Sequence, residues 1–199
     1  MTKTRERHFY AGMTKREELK EILLENSVRT GDFTLASGKK SDFYVDCRCS
    51  TIHARGAILI GELGYELVCE KAQELGITPD SVGGMTLGAD PITLAIAMES
   101  SRSAGALPLR PFVVRKEAKA HGMGRQIEGN FRDGDQVVVI EDTATTGGSA
   151  LKAIKAIEEA GGKVAFCVVL VDRQEGGVDH IEAQGYPTVA LFTRQQLLG

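Results

Sequence analysis

The chain has 199 residues, 42% of them apolar and 26% charged, with a formal net charge of −3 at pH 7. That length suits one unit with a real core, and the mildly acidic balance excludes a general nucleic-acid binder. No apolar run reaches the roughly 18 residues of a membrane span, and the leading MTKTRERHFYAGM lacks the apolar centre of a signal peptide, so the expected location is cytoplasmic, with no nucleic acid and no membrane as partner.

The cysteines are Cys47, Cys49, Cys69 and Cys167. No C-x-x-C and no His pair completes a zinc site, so they read as reduced packing thiols.

In chain order, Thr14-Lys15-Arg16-Glu17 reads as a capping box that opens a helix, with Leu19, Ile22 and Leu23 as its apolar stripe. After Gly31, two short β-prone runs, from Phe33 and from Phe43, flank a polar Ser-Gly-Lys-Lys turn. They predict a hairpin. It precedes the β–α alternation and is expected to form a hood over the active edge of the sheet. Residues from Ile52 to Leu75 carry a long helical pattern closed by Gly76, with His53 and Arg55 near its start as solvated groups.

Strand candidates then alternate with helices: Ser81–Met85, Pro111–Val114, Val137–Ile140, Val164–Val171 and Thr188–Leu191. The first is followed by the tight loop Thr86-Leu87-Gly88-Ala89 and a helix with Asp90 as N-cap and Pro91 in its first turn. The alternation predicts an α/β fold: a central five-stranded, mainly parallel sheet with helices on both faces and the N-terminal hood hairpin. No linker divides the chain, so residues 1–199 are expected to be a single domain, with helix and hood in 1–50 and the α/β core in 51–199. Ligands of such sheets bind at the carboxyl ends of the strands.

Between the second and third strands the sequence predicts one loop, Arg115-Lys116-Glu117-Ala118-Lys119-Ala120-His121-Gly122-Met123-Gly124-Arg125-Gln126-Ile127-Glu128-Gly129. It is basic, jointed by glycine and without apolar periodicity. A loop of that length in a compact unit is usually functional. A lid that grips a departing anion and excludes water fits its charge.

The richest stretch is Val137-Val138-Val139-Ile140-Glu141-Asp142-Thr143-Ala144-Thr145-Thr146-Gly147-Gly148-Ser149. A buried strand ends in two carboxylates, then a hydroxyl- and glycine-rich loop opens a helix. Free N–H groups, the helix dipole and the hydroxyls of Thr143, Thr145, Thr146 and Ser149 suit a phosphate. Two adjacent anions do not, unless they accept hydrogen bonds from vicinal hydroxyls or approach a cation. A ribose 5-phosphate satisfies both halves.

This stretch resembles the phosphoribosyl-pyrophosphate (PRPP) motif of type I phosphoribosyltransferases. The hairpin, F-x-L-x-S-G-x-x-S-x-F-Y-x-D, is similar to the N-terminal signature of orotate phosphoribosyltransferases. R-K-x-x-K-x-H-G resembles their lid, and Val171-Asp172-Arg173 resembles a V-D-R segment of the same family, all in the family's order. The resemblance implies a type I phosphoribosyltransferase fold and transfer of the phosphoribosyl group from PRPP to orotate. The products would be orotidine 5′-monophosphate and pyrophosphate, in pyrimidine biosynthesis.

It further implies PRPP binding by Arg115, Lys116, Lys119, His121, Glu141, Asp142 and the loop Thr143, Ala144, Thr145, Thr146, Gly147, Gly148 and Ser149. Lys119, His121 and Asp142 are the implied catalytic residues. Orotate would be held by Thr145, Arg173, Phe43 and Tyr44. Mg2+ would be the cofactor, bound through PRPP with no direct protein ligand, and the chain would form a homodimer whose lids complete the partner's site. Ala36 departs from the pattern, since many members carry a lysine there; Lys39 or Lys40 is the candidate replacement, unless the charge is simply absent. A purine or uracil phosphoribosyltransferase and a non-catalytic PRPP-sensing regulator are the alternatives. The hairpin and Arg173 argue against the first, and the charged lid against the second.

Overall fold

A computed structural model describes residues 12–34, 40–103, 108–117 and 126–199. Helix α1 (Lys15–Asn26) opens with the expected capping box: the Glu17 N–H donates to the Thr14 hydroxyl, and the Glu17 carboxylate accepts from the Thr14 N–H at 2.7 Å. Leu19, Ile22 and Leu23 are buried. Strands β1 (Val28–Thr34) and β2 (Lys40–Val45) pair antiparallel as the hairpin, with a register shift between Thr30 and Phe33. The first strand starts earlier than the sequence pattern suggests. Ser27 closes α1 and the chain extends at once, because Val28 pairs with Val45.

A short helix α2 (Arg48–Thr51) precedes α3 (Ala54–Leu75), which ends on Gly76 in the left-handed region at φ +66°. His53 and Arg55, expected to be solvated, have structural work instead. The His53 ring nitrogen accepts from the Gly56 N–H and caps α3. Arg55 donates to both carboxylate oxygens of Glu18, at 2.8 and 2.6 Å. Glu18 is buried, and a buried carboxylate needs such a partner.

The main sheet has six strands in the order β5-β4-β3-β6-β7-β8: β3 (Ser81–Met85), β4 (Arg110–Val114), β5 (Ile127–Gly129), β6 (Gln136–Ala144), β7 (Lys163–Asp172) and β8 (Thr188–Thr193). All pairings are parallel except that of β5, which runs antiparallel at the edge beside β4. This edge strand is a correction to the expected five. It is three residues long and closes the stem of the basic loop, so it carries no pattern of its own.

The chain begins the parallel set in the middle, steps outward to β4, then returns to β6 on the other side of β3. The reversal puts a topological switch point between the carboxyl ends of β3 and β6.

Helices α4 (Asp90–Arg102), α5 (Gly148–Glu159), α6 (Gly177–Ala183) and α7 (Arg194–Leu198) complete the described elements. Asp90 is not the N-cap of α4. Ala89 already has helical angles there, and Asp90 begins the helix with a buried carboxylate oxygen that lacks a hydrogen-bond partner among the described residues. Burial pushes its pKa up.

Side chains of β6 alternate between two cores. Val138 and Ile140 face α1, α3, α4 and the hood's Phe43; Val137 and Val139 face α5 and α6. Hood and sheet therefore share one apolar cluster. β3 sits against β6 without room for a side chain at Gly84, where a Cβ would lie 2.0 Å from the Ile140 carbonyl oxygen.

Gly84→Ala is therefore expected to force β3 from β6 and to destabilise the fold by about 3 kcal/mol. The readout is a lower denaturant midpoint with an unchanged slope. A midpoint equal to the parent's would show that the two strands separate freely.

Candidate active site

β6 does not stop at Ile140. Its neighbour β7 is long enough to pair with it through Thr143↔Val171 and Ala144↔Asp172. The strand therefore carries Glu141, Asp142 and Thr143 out to the switch point while their backbone stays hydrogen-bonded. The loop Thr145-Thr146-Gly147 turns into α5, with Gly147 at φ +75°. The N-cap Gly147 offers no side chain, and among the described residues only the Thr146 hydroxyl reaches the first turn of α5, accepting from the Gly148 N–H at 3.4 Å, so that turn faces the loop with N–H groups suited to a phosphate.

Glu141 is buried, and one of its carboxylate oxygens has no hydrogen-bond partner among the described residues. Loss of solvent, followed by the neighbouring charge of Asp142, pushes its pKa up from 4.5 to about 8. Asp142 is less buried and lies under the loop after β3. A Cβ on Gly88 would stand 2.5 Å from the Asp142 carboxyl carbon, so the loop lies directly on that side chain. The Thr86–Leu87 peptide bond in this loop is cis. The hood reaches the acids through Cys47, whose sulfur accepts from the Thr143 hydroxyl at 3.3 Å. The Cys47 thiol is buried and its pKa is pushed up, so it stays neutral.

Arg173 leaves β7 at the same edge and is buried, with only 6% of its surface exposed. Its guanidinium donates to the Phe43 carbonyl at 3.0 Å and pairs with Glu175 at 2.7 Å. It thus fastens the hood to the sheet while facing the cleft. The Phe43 ring, expected to help hold orotate, is fully buried in the core, and the Phe43 backbone carbonyl accepts from Arg173. The exposed aromatic beside it is Tyr44.

These groups line one cleft of about 340 Å3. It brings together Glu141, Asp142, Thr143, Thr145 and Ser149 from the β6 side, Arg173 and Tyr44 from the hood side, and Lys116 from the root of the basic loop. Ala144, Thr146, Gly147 and Gly148 build the loop between them. Arg115 lies apart, in the stem, where its guanidinium pairs with Glu128 at 2.8 Å and its backbone pairs with Gln126. Lys119 and His121, with Ala36 and Lys39, lie outside the described residues, and Lys40 begins β2.

Two contributors escaped the sequence reading. One is the loop 86–88 over Asp142. The other is Arg48, held by Asp46 through bonds of 2.8 and 2.7 Å at the cleft wall. The short D-x-R spacing after Tyr44 was the available signal for that pair. No group of three or more His, Cys, Asp or Glu side chains suited to a metal ion occurs among the described residues. Paired carboxylates beside a phosphate-type loop, facing a guanidinium and an exposed tyrosine, can bind a phosphorylated sugar and a flat anionic partner together.

The profile of the phosphoribosyl transferase domain family matches residues 95–185, from α4 to the end of α6. The orotate phosphoribosyltransferase of Aquifex aeolicus is 47% identical over 189 residues, covering 94% of this chain and 99% of that protein. Among solved structures, orotate phosphoribosyltransferase of Mycobacterium tuberculosis in complex with Fe(III) dicitrate aligns with a TM-score of 0.79 at 42% identity, over 94% of this chain and 100% of that one. The same enzyme in complex with PRPP aligns with a TM-score of 0.75 at 38% identity, over 92% and 99%. Full-length similarity at this level, on a sheet whose switch point carries the acids and the hydroxyl loop, places the chain in the orotate phosphoribosyltransferase family.

Proposed function

We propose that this chain transfers the 5-phosphoribosyl group from PRPP to orotate, giving orotidine 5′-monophosphate and pyrophosphate in pyrimidine biosynthesis. The observation that carries the reading is the meeting of Glu141, Asp142 and the 143–149 loop with Arg173 in one cleft. The loop N–H groups and hydroxyls take the 5-phosphate, and the acids accept from the ribose hydroxyls. Arg173 and Tyr44 take orotate, the guanidinium on its carboxylate. Thr145 lies between the two substrates.

Orotate's ring nitrogen forms its bond to the anomeric carbon as the bond from that carbon to pyrophosphate breaks. Positive charge grows on the ribose and negative charge on the leaving group. Asp142 stabilises the first, and Lys116 with Lys119 and His121 of the lid stabilise the second. Arg115, tied to Glu128, steadies the root of that lid in this reading.

Magnesium, when bound, screens the pyrophosphate charge. Its oxygen-rich surroundings would be PRPP itself with Glu141 and Asp142 nearby, which suits a hard cation. The chain acts as a single domain over 1–199, in the cytoplasm, where its four free thiols stay reduced.

A second copy of the chain fits the exposed apolar side chains Ile52, Leu87, Leu94 and Met98. Leu94 and Met98 lie a turn apart on one face of α4. We assign that face to a homodimer whose lids reach across.

A spectrophotometric assay of orotate loss with PRPP and magnesium tests the function. Turnover with a purine or uracil in place of orotate would favour another phosphoribosyltransferase, and no turnover with any base would favour a sensor. Within the assay, Arg173→Ala is expected to raise the KM for orotate by a factor of about ten or more, from loss of a charged hydrogen bond of roughly 1.5–3 kcal/mol, with less effect on PRPP. The reverse pattern would remove Arg173 from the base site.

The raised pKa of Glu141 makes the stability of the fold depend on pH. In the unfolded chain this carboxyl titrates near 4.3, and in the fold near 8. The folded state thus holds the proton more tightly, and the stability from protonation is full below pH 4 and lost as pH rises through 8. Glu141→Gln cannot ionise. It is expected to match the parent protein near pH 4 and to be the more stable of the two at pH 9, by denaturant unfolding. Equal pH dependence in both would mean that Glu141 ionises without penalty.

The shared lid is tested by mixing Lys119→Ala with Asp142→Asn, each inactive alone. If lids cross, a hybrid dimer holds one site with an intact acid and an intact lid, and activity returns on subunit exchange. Continued inactivity after proven exchange would leave each lid serving its own chain.

A further inference from the structure

We infer that His180 is a positioning residue for PRPP, holding the phosphate loop in its binding shape from behind. The inference rests on the reading of residues 143–149 as that loop. His180 lies on α6, a helix of no assigned role, and its ring Nδ1 stands 2.8 Å from the Thr146 carbonyl oxygen. A carbonyl can only accept, so Nδ1 carries the hydrogen and donates.

The consequence follows from the planarity of the peptide. In a trans peptide the C=O and the next N–H point to opposite sides. Binding the Thr146 carbonyl to α6 therefore turns the Gly147 N–H away from α6, within the loop whose N–H groups meet the phosphate. Gly147 follows directly, at φ +75°, as the N-cap of α5. Glycine has no Cβ to restrict it, so this peptide needs an external restraint to keep one orientation.

The backbone around the bond is built for close contact. A Cβ on Gly147 would lie 2.6 Å from the Gly177 carbonyl oxygen, and a Cβ on Gly177 would lie 2.9 Å from the Thr145 carbonyl. These paired glycines let the start of α6 lie directly against the loop. The His180 ring itself borders an open hollow of about 290 Å3 between α5 and α6. The ring is exposed, so shortening it opens no void in the core and its effect can be separated from packing.

The test compares steady-state constants and melting temperature for three variants of His180. His180→Ala is expected to raise the KM for PRPP about three- to tenfold, the range of one hydrogen bond, with kcat, the KM for orotate and the melting temperature nearly unchanged. His180→Asn places an amide N–H where Nδ1–H stood and should restore the KM. His180→Gln sets its amide one bond further out and should not. Ser149→Asp, which puts an anion into the phosphate loop, serves as the control for the loop itself.

If Ser149→Asp raises the KM for PRPP and His180→Ala does not, the loop reading stands and the role of His180 is overturned. If neither moves it, the loop reading falls and takes the inference with it. A His180→Asn variant as impaired as His180→Ala, or a loss spread equally over both substrates, kcat and melting temperature, would reduce His180 to a structural contact.

Discussion

Two neighbouring carboxylates at the buried end of a strand repel each other and lose water together, and the site is built around that constraint. Glu141 answers it by holding its proton to higher pH, and Asp142 by remaining partly open to the cleft. Neither has a basic side chain bonded to it among the described residues; the guanidiniums at the cleft wall are engaged by Asp46 and Glu175. A lysine or arginine placed on the acids would remove the penalty, but it would also occupy the oxygens that a ribose must reach. The fold thus carries a local instability that, under the proposed function, a polyhydroxyl ligand would relieve, as expected where binding and charge do the chemistry.

Such a strain is held only if the surrounding backbone cannot yield. β6 lies between β3 and β7, both parallel to it, and its ladder with β7 runs beyond the acids to Ala144. On the β3 side, Gly84 brings the strand into direct contact with the Ile140 carbonyl, and Gly88 lets the following loop lie on Asp142. At Gly84 the absence of a side chain makes the region rigid, because backbone meets backbone and cannot rotate aside.

This division explains what could be read in advance. The strands at Val82, Phe112, Val137 and Val168 announced themselves because burial on both faces demands unbroken apolar runs. The acids and hydroxyl loop were legible because their chemistry needs particular groups in a fixed order. The edge strand β5 was not, since three residues paired on one side carry no periodicity. That the Phe43 ring lies in the core was not legible, because an aromatic residue in a hairpin suits a core as well as a ligand, and only the third dimension decides. Arg55 and Glu18 lie 37 positions apart, and no local pattern could bring them together. The cover of Asp142 by Gly88 was hidden for the same reason: it joins two loops that meet only at the switch point.

The segment from Arg173 to His180 draws these observations together. At one end Arg173 is fixed by the Phe43 carbonyl and Glu175, facing the region read as the base site. Gln174 follows in the left-handed region at φ 56°, and its side-chain oxygen accepts from the Gln195 N–H, pinning the turn to α7. At the other end Gly177 and His180 lie against the loop read as the phosphate site. A stretch this short and this restrained cannot move at one end without moving at the other. Under the proposed function the two substrates would be held at a separation set by covalent geometry rather than by the lid, which would be left to supply charge and exclude water. That assignment of tasks suits a reaction whose barrier falls mainly through the placement of two bound molecules.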